Sequence, residues 1–197
     1  APFSDGVAPG DRVAIFADTC EEWVTVDLAI MLAGAVSVPL YPTLPADQAR
    51  YILEDAGATV LFVDAGRLPA ALDAAPERVR RIVCFDGDLG VGSTRVVSLA
   101  SYGDPARTGE IEARAARVVG DDVATIVYTS GTSGPPKGAV LTQANLAFEA
   151  DAVGRLLSLS SSDEQLLFLP LAYIFARVSV ATQLSVGYTT SFATSVA

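Results

Sequence analysis

The sequence predicts an α/β fold, a mostly parallel sheet flanked by helices. Strand-like and helix-like patterns alternate along the chain. Apolar residues make up 51% of the 197 residues and charged residues only 18%, against about 25% charged in an average domain. A chain of this length can bury one sizeable core.

Arg12 to Ala17 reads as the first buried strand. Thr19 offers a capping box with Glu22, and the helix after it carries Trp23, Val26, Ile30 and Ala33 on one face before ending near Gly34. Ser37 to Leu40 is a second strand. Pro42 and Pro45 bracket a loop into a helix with apolar Ile52, Leu53 and Ala56, closed by Gly57. Thr59 to Val63 is a third strand, Ala70 to Ala75 a weak helix, and Arg81 to Phe85 a fourth strand. Gly87 to Ser93 is a glycine-rich surface turn, and Leu99 to Ala116 a peripheral, partly helical excursion. Val123 to Thr129 is the strongest strand, and Ala139 to Leu141 a short one after it. Thr142 can cap a helix running to about Leu157, with apolar Leu146, Ala150 and Val153. Gln165 to Leu169 is a strand, Ile174 to Leu184 a helix and Tyr188 to Ala193 a last strand.

The mean hydropathy of +0.41 is high for a domain of this size. The longest apolar run, Leu28 to Leu40, contains Gly34 and Pro39 and falls short of the roughly 20 residues a membrane span needs. The reading that remains is a piece of a larger protein whose apolar faces are normally covered. The chain starts at Ala1, its one Met is Met31, and it ends at Ser195-Val196-Ala197 without a polar tail. The net charge is −10, and Arg78 to Arg81 is the nearest approach to a basic cluster, so no nucleic-acid partner is expected. The absence of histidine excludes a Ser-His-Asp triad and a His-containing zinc site. Cys20 and Cys84 are far apart in apolar stretches and read as buried reduced thiols. There is no signal-peptide pattern, and the sole Asn, Asn145, is followed by Leu-Ala. A cytoplasmic location follows as the expectation, with peripheral membrane attachment left open. Open sheet edges and apolar faces leave self-association, including a homodimer, open as well.

The chemistry is concentrated between Tyr128 and Gly138, Tyr-Thr-Ser-Gly-Thr-Ser-Gly-Pro-Pro-Lys-Gly. Glycines allow the backbone to approach phosphate oxygens, and successive N–H groups can form an anion nest. Thr129, Ser130, Thr132 and Ser133 add hydroxyl donors, and Lys137 adds a point charge. A Walker loop would carry Ser or Thr after the lysine, whereas Gly138 follows here. No G-x-G-x-x-G fingerprint is present either. A polar surface loop is the competing reading.

The unbroken string from Thr129 to Gly134, followed by Pro136, Lys137 and Gly138, resembles the phosphate-binding signature of the adenylate-forming enzymes. These are the acyl-CoA synthetases, adenylation domains and luciferases. Asp121 to Tyr128 resembles the strand leading into that loop. Gly10 to Ile15, Val38 to Leu44 and Leu169 to Phe175 resemble segments of the long-chain fatty acyl-CoA synthetases. The resemblance covers nearly the whole chain, in order. It implies that ATP and a carboxylate give an acyl-adenylate and pyrophosphate, after which a thiol, usually coenzyme A, displaces AMP. It implies Mg²⁺ as well.

By resemblance, Thr129, Ser130, Gly131, Thr132, Ser133, Gly134 and Lys137 hold the β- and γ-phosphates, Lys137 as a clamp rather than an acid or base. Tyr173 helps to shape the acyl or nucleotide side of the pocket, with ordinary core packing as the competing reading of Tyr173 and Phe175. Tyr173 and Gln143 stand where the family commonly carries histidine. Arg177, four residues beyond Tyr173, is expected to make a surface or structural ion pair. The resemblance makes residues 1–197 part of an N-terminal adenylation domain lacking its C-terminal domain. The Mg²⁺-holding glutamate motif and the catalytic lysine of the family are not in the sequence, so no catalytic or metal-binding residue is assigned and this piece alone is expected to be inactive. A ligase that loads a carrier protein and a non-catalytic nucleotide-binding module are the alternatives.

Overall fold

The computed structural model describes residues 6–86, 95–103, 108–129 and 134–193. The elements run β1 (Arg12–Phe16), α1 (Glu21–Leu32), β2 (Val36–Pro39), α2 (Ala46–Ala56), β3 (Val60–Val63), α3 (Leu68–Ala74) and β4 (Arg81–Cys84). There follow β5 (Val96–Ser98), α4 (Leu99–Tyr102), α5 (Thr108–Ala115), β6 (Val123–Thr129), β7 (Lys137–Thr142), α6 (Gln143–Leu156), β8 (Glu164–Leu167), α7 (Ile174–Val186) and β9 (Thr189–Phe192). The expected α/β class and largely parallel sheet are found.

Seven strands form one sheet in the order β5-β4-β3-β1-β2-β6-β7. All neighbours are parallel except β6 and β7, which form an antiparallel hairpin. The chain moves from β1 to β2 in one direction and from β2 back across to β3 in the other. Right-handed crossovers therefore place α1 and α2 on opposite faces. Period-two alternation does the rest. Ala14 and Phe16 of β1 pack with Ile52, Leu53 and Leu61 on the α2–α3 face. Val13 and Ile15 pack with Trp23, Ile30 and Phe62 on the α1 face.

Helix ends follow local chemistry. Gly57 closes α2 in the left-handed conformation with φ 68°, and the Arg12 guanidinium donates from Nε to the Ala56 carbonyl at 2.8 Å. A cation at a helix C-terminus is favourable. Thr142 caps α6 as expected, in a reciprocal pair with Asn145.

Several elements differ from expectation. Thr19 does not cap α1: the cap is Cys20, with no side-chain bond. The Thr19 hydroxyl instead donates to the Leu169 carbonyl and accepts from the Leu171 amide, both at 3.1 Å. A long-range partner has taken the hydroxyl. β5 was not expected, and it pairs with β4 at the sheet edge. β7 starts at Lys137 rather than Ala139, so the lysine stands at a strand end and not inside the turn. β8 ends at Leu167, two residues early, and pairs with β9 in a separate small parallel sheet. The expected turn at Gly87 to Ser93 lies outside the described residues. Cys84 is buried and Cys20 half-buried, and both are free. Burial pushes both thiols up, Cys20 to about 11.

Candidate nucleotide site

The site grows from the topology. At the C-terminal edge of the sheet the chain leaves β2 toward β3 and leaves β6 toward β7. Such divergence opens a crevice between neighbouring strands, where α/β sheets bind ligands. Here the crevice holds a cleft of about 540 Å³, lined by Tyr41, Thr43, Leu44, Gln48, Tyr128, Thr129, Pro136 and Tyr173 among others.

Four of the sequence-predicted residues lie within the described structure. Thr129 ends β6 and is paired with Lys137, the first residue of β7. Both are exposed, and among the described residues Lys137 has no ion-pair partner. Gly134 has φ 93°, a backbone setting that glycine adopts freely. Tyr173 precedes α7 and is 48% exposed, which removes the core-packing reading. Its ring meets that of Tyr41 edge-on, with centroids 4.7 Å apart and planes at 66°. Burial, with the nearby Tyr173 phenol second, pushes the Tyr41 hydroxyl above its usual range. Ser130, Gly131, Thr132 and Ser133 lie outside the described residues.

The hairpin is held in place from beneath. The Tyr128 hydroxyl donates to Asp55 at 2.5 Å, linking β6 to α2. Burial first, and that carboxylate second, push the phenol well above its usual range, so it stays protonated. Gly138 faces Tyr128 across the hairpin. A Cβ at Gly138 would lie 2.7 Å from Ile126 Cγ2 and 3.1 Å from Tyr128 Cζ. Gly138→Ala is therefore expected to destabilise the protein by about 1–3 kcal/mol through overpacking. A chemical-denaturation midpoint equal to the parent's would show instead that the hairpin has room to give.

The ion pair expected of Arg177 is found, but sequence reasoning missed its partners Asp27, Thr125 and Ser37. Arg177 in α7 is buried, so the pair is the structural one of the two expected. It donates from Nε and Nη2 to the two carboxylate oxygens of Asp27 in α1, at 3.0 and 2.9 Å. Its Nη1 donates to Thr125 Oγ1 in β6 at 2.6 Å. Thr125 in turn donates to the Ser37 carbonyl at 2.8 Å, and the Ser37 hydroxyl donates to Asp27 at 2.5 Å. A signal was present: Asp27 falls on the same helical stripe as Trp23, Val26 and Ile30, and a carboxylate on a buried stripe requires a partner.

A larger hollow of about 710 Å³ lies at the other end of the strands, among Arg12, Gly34, Arg114, Arg117 and Val140. None of the four described site residues lines it.

A model of the AMP-binding enzyme family matches residues 3–197. The chain belongs to the AMP-binding enzyme family. Among curated members it is 40% identical over 194 residues to the long-chain-fatty-acid–CoA ligase FadD15 of Mycobacterium bovis, covering 93% of this chain and 32% of that protein. It is 36% identical over 181 residues to the peroxisomal long chain acyl-CoA synthetase 6 of Arabidopsis thaliana, with 88% and 26% covered. The chain thus spans between about a quarter and a third of the length of these relatives. Among solved structures, the inhibitor-bound N-terminal domain of FACL13 from Mycobacterium tuberculosis superposes with a TM-score of 0.74 at 26% identity, covering 98% of this chain and 46% of that one. The long-chain-fatty-acid-CoA ligase FadD1 from Archaeoglobus fulgidus gives 0.73 at 25%, with 94% and 36% covered. No helix among the described residues is long and apolar enough to cross a membrane.

Proposed function

We propose that the chain carries the phosphate-gripping part of an ATP-dependent long-chain fatty acyl-CoA ligase. The observation that supports this reading most is the pairing of Thr129 with Lys137 at the mouth of the Tyr41–Tyr173 cleft. In this reading residues 1–197 are part of the N-terminal adenylation domain, and the substrates are ATP, a fatty acid and coenzyme A.

The reaction begins between two anions. A fatty-acid carboxylate oxygen attacks the α-phosphorus of ATP, and pyrophosphate leaves with its bonding electron pair. The thiol of coenzyme A, giving up its proton, then attacks the acyl carbon, and the bond from that carbon to the phosphate oxygen breaks to release AMP. The protein's task in the first step is positioning and charge neutralisation. Thr129, Ser130, Gly131, Thr132, Ser133 and Gly134 supply backbone N–H and hydroxyl donors to the β- and γ-phosphates, and Lys137 supplies a fixed positive charge. Tyr173, edge-on to Tyr41, bounds the side of the cleft where the acyl carboxylate or the nucleoside enters. The described residues contain no cluster of three carboxylates or thiols able to hold a metal, so Mg²⁺ is assigned no ligand here.

Pyrophosphate exchange on the intact protein, with saturated fatty acids of graded length, tests this reading. Exchange that depends on long-chain acids is the expected result. No exchange with any acid would refute the ligase assignment, and acyl-adenylate formation without transfer to coenzyme A would point to a carrier-loading ligase.

A further inference from the structure

Backbone pairing between β2 and β6 is confined to the single register pair Ser37↔Thr125, whereas β1 pairs with β2 over four residues. That seam joins the hairpin bearing Thr129 and Lys137 to the rest of the sheet. The Asp27–Arg177 pair sits on it. Thr125 lies four residues before Thr129 on β6, and Arg177 lies one helical turn after Tyr173, its amide donating to the Tyr173 carbonyl at 3.3 Å. One guanidinium therefore ties the strand that delivers the phosphate loop to the helix that begins at Tyr173. The same helix α1 that provides Asp27 is preceded by Thr19, which fixes Leu169 and Leu171 on the other side of Tyr173.

We propose that the buried Asp27–Arg177–Thr125 network is a positioning device that holds the Tyr173 end of α7 in register with the Thr129 end of β6. An ion pair suits this role because its geometry is directional. The bidentate guanidinium admits one orientation against a carboxylate, whereas apolar side chains of equal volume would pack in several. The fully bonded network specifies the arrangement even where it adds little net stability. None of the three side chains lines the cleft, so they act through Thr129 and Tyr173. The inference rests on the cleft being the adenylation site.

The test replaces the ion pair by apolar residues of similar size, Asp27→Leu with Arg177→Met, in the intact protein. Hydrogen exchange is read on the amides of residues 126–129 and 171–177. Steady-state pyrophosphate exchange is read alongside. The expected result is an unfolding midpoint close to the parent's, with faster amide exchange in those two segments alone. kcat/KM for ATP should fall by about 100-fold, the cost of misplacing reactants by an ångström, with the loss in kcat. Unchanged amide exchange in both segments, together with unchanged kcat, would overturn the proposal. Should the double variant not fold, Thr125→Val decides: it should reproduce both effects, Thr125→Ser should not, and equal behaviour of the two variants would overturn the proposal. If the parent itself shows no pyrophosphate exchange, the ligase reading fails while the amide-exchange comparison still tests the positioning.

Discussion

Replacing Lys137 by alanine is expected to weaken ATP binding by roughly 10- to 100-fold. The figure follows from losing one charge-assisted contact, worth about 1.5–3 kcal/mol, at about 1.4 kcal/mol per factor of ten. Lys137 is the only lysine in the sequence, and every other basic residue is arginine. The distinction has a physical basis: a compact ammonium approaches a phosphate oxygen as a point charge, where a guanidinium would impose a planar fork. Its position agrees with that role. It is exposed at the first residue of β7, directly across from Thr129. The fold has no need of the charge there, so the variant's stability should stay within about 0.5 kcal/mol of the parent's. Lys137→Arg should recover part of the affinity. Titration calorimetry of ATP into the intact protein at fixed ionic strength reads both effects. Affinity unchanged in Lys137→Ala would remove the lysine from the phosphate site.

What the sequence disclosed depended on where each partner lies. β6 was legible over its whole length, Val123–Thr129, because it is an apolar run ended by a turn signal. Its hairpin partner β7 was legible only at its centre. All but its last two residues are exposed, so burial leaves no apolar pattern at Lys137 and Gly138. β5 is a three-residue edge strand, half-buried along its length, and is too short to show a period. Thr19 and Glu22 do match a capping box, but the hydroxyl serves Leu169 and Leu171, about 150 residues away. No local rule can see such a competitor. The chemical string from Thr129 to Gly138 was legible for the opposite reason. The phosphate-gripping role proposed for it calls for hydroxyls, glycines and a lysine next to one another in the chain, so such a site is written locally even though its supports are not. The far wall of the cleft shows the same division. Tyr173 came from a motif, while Tyr41 and the Tyr128–Asp55 bond became visible only once β2, α2 and β6 were side by side.

Arg177→Met is expected to destabilise the protein by about 3–5 kcal/mol, the cost of leaving a buried carboxylate without its counter-ion. Two observations set this apart from an ordinary surface bridge. The side chains of Arg177 and Asp27 are only 3% and 9% exposed, so water cannot replace the missing partner. After the substitution Asp27 keeps one donor, the Ser37 hydroxyl, and Thr125 loses the guanidinium that it accepts from. The arginine also lies over the Trp23 ring, 5.9 Å from its centroid, so some packing goes with the charge. By comparison, the exposed pair Arg155–Asp151, 80% and 57% exposed, should be worth no more than about 0.5 kcal/mol when broken. Denaturant titrations of Arg177→Met and Arg155→Met, run side by side, separate the two cases. Comparable small losses in both would show that water reaches Asp27 and that the pair is not sealed. A large loss for Arg177→Met that is mostly restored by adding Asp27→Leu would show the penalty to be the orphaned charge rather than a missing attraction. The ion pair would then contribute little to net stability, and its place on the seam between β2 and β6 would be explained by geometry alone. On the positioning role proposed for it, the directional contact fixes how far along β6 the first turn of α7 sits, and with it the spacing of Tyr173 and Thr129 across the cleft.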